Sequence, residues 1–200
     1  MFMRLHPFRS LLLSCGLIVT GLFAMALSTP AFASAATAKP ASMLLTISQM
    51  PVGWSVDNSA GGSGSVGCLN LSKRFDAFPH AVVSFDASGG LPELAESVYM
   101  PPSARTLMNQ VIKVIAACPR FTGNLSGKRV TGSVGAMSFP RIGDDSVAYS
   151  VTLTVEGVTF YDDFVLARRG NVLMQLQLLD MDPNVNLLVQ YGKIGVRKLV

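Results

Sequence analysis

Few residues of this chain combine the types and the spacing that catalysis or metal binding requires. His80 is the one histidine after residue 33, and no Gly-x-Ser-x-Gly sequence accompanies it to supply an activated serine. We interpret His80 as a surface or strand-start histidine. Behind residue 33, one histidine and two cysteines, Cys68 and Cys118, are too few for a soft-metal cluster. The sequence therefore predicts no catalytic activity, no metal site and no cofactor.

Two pairs of neighbouring aspartates are the remaining polar candidates. Asp144-Asp145 lies in the segment 143–146, which has only two carboxylates and lacks the spacing of a calcium loop. We interpret this segment as a turn that opens a strand. A two-residue turn at Glu156-Gly157 would place Asp145 opposite Arg168, as a surface ion pair.

The same hairpin places Asp162 opposite Val151, on the face that carries the apolar side chains. A carboxylate on such a face must be paired, hydrogen-bonded or protonated. One interpretation is that Asp162 lines a cleft and fixes a polar group of a ligand together with Arg141. The alternative is a β-bulge near Tyr161 that turns Asp162 and Asp163 towards water. The sequence leaves both interpretations open.

Aromatic side chains complete the candidate ligand-binding set. Trp54 is the single tryptophan, and Tyr149 and Phe164 face each other in the predicted hairpin. Aromatic residues at strand spacing belong to the core in most proteins, and this is the competing interpretation. The predicted ligand-binding residues are thus Asp162, Arg141, Trp54, Tyr149 and Phe164.

Residues 1–33 have the features of a removable export signal. Two arginines precede the apolar stretch Leu11–Leu27, and a small-x-small sequence ends at Ala33. Retention of the leader as a short membrane anchor is the main alternative and would keep the protein near the membrane. A lipid on Cys15 is disfavoured because most of the apolar sequence follows this cysteine. The working protein is therefore predicted to be secreted or to lie in the cell envelope.

Composition behind the leader fits one small domain. Removal of 33 residues leaves 200 − 33 = 167, with 14 basic and 12 acidic residues and thus a net charge of +2. This charge is too small to predict nucleic-acid binding. Outside the cytoplasm, Cys68 and Cys118 are expected to form one disulfide; the alternatives are free thiols or links between chains.

The hydrophobic patterns predict an alternation of helices and strands. Residues 34–41 are small and unpatterned and predict a tether, and a short helix is expected over 42–50. Period-two alternation predicts strands over 147–155 and 172–179, and the turn residues around them predict strands over 81–85, 94–99, 129–139 and 158–168. Between Ser103 and Pro119, an apolar stripe predicts a helix: Ala104, Met108, Val111, Ile115 and Cys118. Asp182 with Pro183 predicts the start of a last helix.

Short connections between the later strands predict an antiparallel sheet. The predicted fold is a single α+β domain over residues 42–200, with one antiparallel β-sheet, helices packed on one face and one disulfide.

Several ordered segments carry a resemblance to a known family: Leu44-Leu45-Thr46, Met50 to Trp54, Cys68, Cys118 to Gly123, Gly143 to Tyr149, and Arg168 to Val172. In their order and spacing they resemble the extracytoplasmic sensor-like domain of mycobacterial serine/threonine kinase H and its stand-alone secreted or lipoprotein relatives in actinobacteria. The resemblance covers about residues 42–199. The chain departs from the kinase pattern because it has no kinase domain and one cysteine pair where two are expected.

The resemblance implies an α+β domain with a cleft for an unidentified ligand and no enzyme activity. The predicted function is therefore recognition of a small molecule or cell-envelope component in a cleft, through a largely apolar pocket with a few polar anchors. The alternative is a protein–protein interaction module of the cell envelope. An enzyme is the third and least supported reading.

Overall fold

The computed structural model describes residues 39–58, 68, 75–125 and 127–200, which belong to one compact unit. The predicted export signal and residues 34–38 of the predicted tether lie outside the described residues. Pro40 and Ala41, also assigned to the tether, belong to a first 3₁₀ turn over Pro40–Met43. No helix among the described residues is long and apolar enough to span a membrane.

Eight strands and two α-helices follow the N-terminal 3₁₀ turns. The strands are β1 (Ser55–Val56), β2 (His80–Asp86), β3 (Glu93–Tyr99), β4 (Arg120–Leu125), β5 (Lys128–Ala136), β6 (Asp145–Val155), β7 (Val158–Arg169) and β8 (Val172–Asp180). The helices are α1 (Ala104–Ala116) and α2 (Val185–Lys198).

All eight strands form one antiparallel sheet in the order β1-β2-β3-β8-β7-β6-β5-β4. The predicted α+β class and antiparallel sheet are confirmed. Glu156 and Gly157 both have positive φ, 51° and 84°, as a two-residue hairpin turn of the primed type requires. Because this turn sets the register, Asp145 lies opposite Arg168 as predicted.

The two helices pack on opposite faces of the sheet, where the pattern predicted a single covered face. In β8, Met174 contributes to the core beneath α2, whereas its neighbour Leu173 contributes to the core beneath α1. Successive side chains of a strand point to opposite faces, so the two cores lie on either side of the sheet. The central strands β7 and β8 are therefore buried on both faces, and their strict alternation of apolar and polar residues breaks down.

The N-terminal segment departs from the predicted helix over 42–50. It forms the 3₁₀ turns Pro40–Met43 and Ile47–Gln49 with extended residues between them. In this conformation Met43 and Leu45 are both buried against the core beneath α2. Short helices are marginal by themselves, so this burial decides the local structure.

A strand and the start of a helix also differ from the sequence-based prediction. Strand β4 was not predicted, because Gly123 and Asn124 within it are typical of turns. Helix α2 begins after Asn184, whose side chain accepts a hydrogen bond from the Leu187 N–H at 3.3 Å, and not after Asp182. Helix α1 starts after Ser103 as predicted.

The cysteine prediction is confirmed: Cys68 and Cys118 form a disulfide with Cα atoms 5.9 Å apart. Cys118 is 1% exposed and continues the buried stripe of α1. The disulfide thereby ties the connection between β1 and β2 to the end of this helix.

Candidate functional site

A groove of about 520 Å³ lies between α1 and the start of β6. Its lining combines apolar side chains (Met108, Ile112, Phe139, Val147) with polar ones (Arg105, Asn109, Arg141, Asp145, Ser146). We call it the α1–β6 groove. Its size falls within the range of small-molecule sites, roughly 300–1,000 Å³.

The wall formed by α1 is held by the turn between β7 and β8. Ser103 caps the helix by accepting a hydrogen bond from the Thr106 N–H at 3.3 Å. Asn171 in the turn accepts the Ala104 N–H at 2.9 Å, and its amide group donates to the carbonyl of Pro101 at 2.8 Å. This bridge anchors the first turn of α1, which carries Arg105, to the sheet.

The opposite wall is organised by Arg168, which is largely buried. Its guanidinium donates to Asp145 Oδ2 at 2.5 and 3.2 Å and to Asp144 Oδ2 at 3.0 Å. Asp144 Oδ2 also accepts the Gly170 N–H at 2.8 Å. The hydrogen bond from Arg168 is the largest cause that lowers the pKa of Asp145, so this carboxyl stays ionised at neutral pH.

Two further arginines stand over the groove with most of their surface in solvent. Arg105 and Arg141 have side chains that are 70% and 75% exposed, and they lie 3.5 and 3.7 Å from the carboxylate of Asp145. Arg141 also donates to the main-chain carbonyl of Asp144. Asp145 thus orients the guanidinium groups of Arg105 and Arg141, while it accepts its short hydrogen bond from Arg168.

Ser146 supplies one more donor at the rim. Its Oγ accepts a hydrogen bond from the Ile142 N–H at 3.0 Å, so its own hydroxyl proton remains available for another acceptor. With the amide of Asn109 and the two exposed guanidinium groups, the groove has several donors above an apolar lining. Such an arrangement can bind and orient a small molecule, but it contains no nucleophile held by a base.

The predicted ligand-binding residues are distributed unevenly. Arg141 lines the groove. Tyr149 and Phe164 lie on the same sheet face as α1, with ring centroids 5.4 Å apart, and pack into the core beneath that helix. Trp54 packs against the core on the opposite face. The structure therefore brings Arg141 to the groove and leaves Trp54 on the other side of the sheet.

Asp162 lies on the α1 face but not among the groove residues. Gln177 donates to its Oδ1 at 2.7 Å, and burial raises the pKa of Asp162 to about 6. The predicted register holds on both sides of it, with Tyr149 opposite Phe164 and Thr152 opposite Tyr161. Since the register is the same on both sides, no extra residue is inserted at this point. The carboxylate is satisfied by a side-chain amide of β8 and not by Arg141.

His80 stands at the first position of β2, exposed, with Nδ1 2.8 Å from the carbonyl oxygen of Phe78. This agrees with its interpretation as a strand-start histidine. Among the residues that the structure describes, no three His, Cys, Asp or Glu side chains cluster in a way that could hold a metal ion.

Arg105 and Asn109 lie outside the apolar stripe of α1 and still belong to the groove, because this side of the helix faces the start of β6. The signal in the sequence is the spacing of four residues between them, which places both on one side of the helix. What the helix faces there depends on contacts between residues far apart in the chain.

Glu96 is a second residue that the sequence patterns did not single out. Its side chain is 0% exposed, within the core beneath α2. One carboxylate oxygen accepts the Leu45 N–H at 2.5 Å, and the other, Oε1, has no hydrogen-bond partner. The sequence does indicate this burial, because Glu96 lies two residues from Leu94 and from Val98 in the same strand and therefore shares their buried face.

Comparison with known proteins gives a likeness in fold. No family model matches the sequence, and no curated protein matches it. The structure is similar to the crystal structure of the extracellular domain of PknH from Mycobacterium tuberculosis, with a TM-score of 0.60 and 10% sequence identity. The match covers 80% of this chain and 95% of that chain. At this identity, the likeness shows that the chain shares the fold of that extracellular domain.

Proposed function

We propose that this protein is an exported binding domain that holds a small molecule or a cell-envelope component in the α1–β6 groove, without catalysis. The observation that carries the proposal is the groove itself, with its apolar lining and its rim of hydrogen-bond donors from Arg105, Asn109 and Arg141. Apolar pockets with a few convergent polar groups are typical of ligand-binding sites.

Three other observations support the location outside the cytoplasm. The leader favours export, and the resemblance to the sensor-like domain of mycobacterial kinase H favours a role outside the cytoplasm. The structural likeness to an extracellular domain supports the same location. The proposed location is therefore outside the cytoplasm, either secreted or held in the cell envelope.

Native mass spectrometry of the protein purified from its own cell envelope tests the proposal. We expect a reproducible extra mass that is lost on denaturation. A matched pair of variants locates the ligand: Asn109→Trp places a bulky ring in the groove, whereas Gln110→Trp adds the same ring to a neighbouring exposed position of α1.

The extra mass should persist in Gln110→Trp and disappear in Asn109→Trp. If both variants retain it, the ligand lies elsewhere on the molecule. A bare mass for the unmodified protein would argue against a stably held ligand and would favour the interaction module.

A further inference from the structure

We infer that the ligand of the α1–β6 groove is an anionic amphiphile, with a carboxylate or phosphate head bound by Arg105 and Arg141 and an apolar chain in the groove. The inference rests on the proposed function and adds the chemical class of the ligand. It is argued from the charges, the hydrogen bonds and the lining of the groove.

The charge at the groove is positive. Three guanidinium groups, those of Arg105, Arg141 and Arg168, surround the two carboxylates of Asp144 and Asp145. One positive charge is left over. An anion at this rim therefore gains electrostatic energy, and a cation loses it.

The two carboxylates are already engaged by the buried arginine. Arg168 donates to both of them at 2.5 and 3.0 Å, and these charge-assisted hydrogen bonds are the short ones of the cluster. Arg105 and Arg141 lie at 3.5 and 3.7 Å from Asp145, beyond good hydrogen-bond distance. Arg141 uses Nε and Nη2 to donate to the main-chain carbonyl of Asp144. Its Nη1 group and the guanidinium group of Arg105 are therefore available to an incoming acceptor.

Guanidinium groups suit the proposed head group. Each presents a planar set of N–H donors that matches a carboxylate or phosphate with two parallel hydrogen bonds. The hydroxyl of Ser146 and the amide of Asn109 can add neutral donors to the same oxygens. No described carboxylate of the groove is left unpaired to attract a cationic head group.

The apolar half of the groove determines the rest of the ligand. Met108, Ile112, Phe139 and Val147 line it, and Ile112 and Val147 are only partly buried by the protein. Covering this surface with an alkyl chain is favourable by about 25 cal/mol per Å² of apolar area. A small inorganic anion would leave the surface in water, whereas an amphiphile covers it.

Calorimetric titration with three eight-carbon probes tests the inference: octanoate, 1-octanol and octylammonium. The chains are the same and only the head groups differ. We expect octanoate to bind about tenfold more tightly than octanol, as a charged hydrogen bond of about 1.5 kcal/mol gives. Octylammonium should bind more weakly than octanol, and the preference for octanoate should shrink at high salt.

Variants connect this preference to the rim. Arg105→Gln combined with Arg141→Gln should abolish the preference for octanoate over octanol, because both charged donors to the head group are lost. Arg129→Gln combined with Arg197→Gln removes two other exposed arginines and should preserve the preference. Asn109→Trp should weaken the binding of every probe.

Sedimentation with phosphatidylglycerol vesicles distinguishes a ligand within a bilayer from a free one. Cosedimentation that requires Arg105 and Arg141 indicates a bilayer lipid, and its absence indicates a free amphiphile.

The outcomes separate the two levels of the proposal. Equal affinities for octanoate and octanol, both lost in Asn109→Trp, would overturn the anionic class and support a binding groove. Absence of probe binding, with a native extra mass that still depends on Asn109, would overturn the amphiphile class alone. If neither the probes nor the native mass depend on Asn109, the proposed function itself is wrong.

Discussion

Glu96 of β3 is the carboxylate that the fold isolates most completely from water. Burial raises its pKa from 4.5 to about 7, while the Leu45 N–H and the charge of Lys198 partly oppose this shift. Lys198 donates to the carbonyl of Leu44. The pair Glu96 and Lys198 therefore fixes the extended part of the N-terminal segment. Gly195 allows helix α2 to pack closely against the side chain of Glu96, because a Cβ at this position would lie only 2.6 Å from Glu96 Oε1.

We predict that Glu96 makes the protein less stable as the pH rises from about 4.5 to 7. The folded state holds the proton of Glu96 more tightly than the unfolded state, so the free energy of unfolding falls over this interval. The shift corresponds to about 3 kcal/mol. Urea unfolding between pH 4.5 and 8 measures the effect, and Glu96→Gln should lose that part of the pH dependence.

Other acids contribute to the same profile, so the difference between wild type and variant is the informative quantity. The pKa values of Asp162 and Glu93 are also raised by burial. Asp182→Asn, at an exposed position between β8 and α2, is the control and should leave this difference unchanged. Parallel profiles for wild type and Glu96→Gln would show that Glu96 does not titrate in this interval.

Among the elements, the hairpin of β7 and β8 positions both walls of the groove. Arg168 at its end holds Asp145, and Asn171 in its turn holds the first residues of α1. Both walls are thus tied to one two-strand unit in the centre of the sheet. A change in the turn is expected to act on the groove without altering its lining.

We predict that Asn171→Ala destabilises the protein by about 2 kcal/mol, because it removes the acceptor of the Ala104 N–H and the donor to Pro101. Urea unfolding measures the loss. The binding of any groove ligand should weaken as well, since α1 carries Arg105. Asn186→Ala, at an exposed position of α2, is the control and should leave both quantities unchanged. Wild-type stability and affinity in Asn171→Ala would show that the turn does not position α1.

The hairpins of β6, β7 and β8 were predictable because a two-residue turn and period-two alternation act locally. The helix α1 was predictable for the same reason, from its cap and its apolar stripe. The segment 42–50 was not, because Leu45 gives up a helical conformation to donate to the buried Glu96. Local preference was overridden by a contact between residues far apart in sequence.

For the groove too, the sequence predicted local features but not the contacts between distant residues. The sequence identified Arg141 as a ligand-binding candidate but paired it with Asp162, whereas the structure places it beside Asp145 and Arg105. The pattern predicts which residues of α1 avoid the core. It does not predict which strand the exposed side of the helix will face.

At the scale of the whole molecule, the disulfide connects two chain segments that are separated by strands β2 and β3 and helix α1 in the sequence. Cys68 lies in the connection from β1 to β2, and β1 is one outermost strand. Cys118 immediately precedes the connection into β4, the outermost strand on the other side. The bond therefore ties the connection between β1 and β2 to the end of the helix that forms one wall of the groove.

We predict that loss of this disulfide destabilises the protein by about 4 kcal/mol, since it closes a loop with a sequence separation of 50 residues. Cys68→Ser combined with Cys118→Ala tests this by urea unfolding, because alanine suits the buried position of Cys118 and serine the exposed position of Cys68. Alkylation without reductant, followed by peptide mapping, should leave both cysteines of the folded wild type unmodified. Alkylated Cys68 or Cys118, or a double variant as stable as wild type, would contradict the prediction.

Because Cys118 ends the buried stripe of α1, the double variant should also bind groove ligands more weakly than wild type. Gln110→Trp leaves the disulfide intact and should bind them as wild type does.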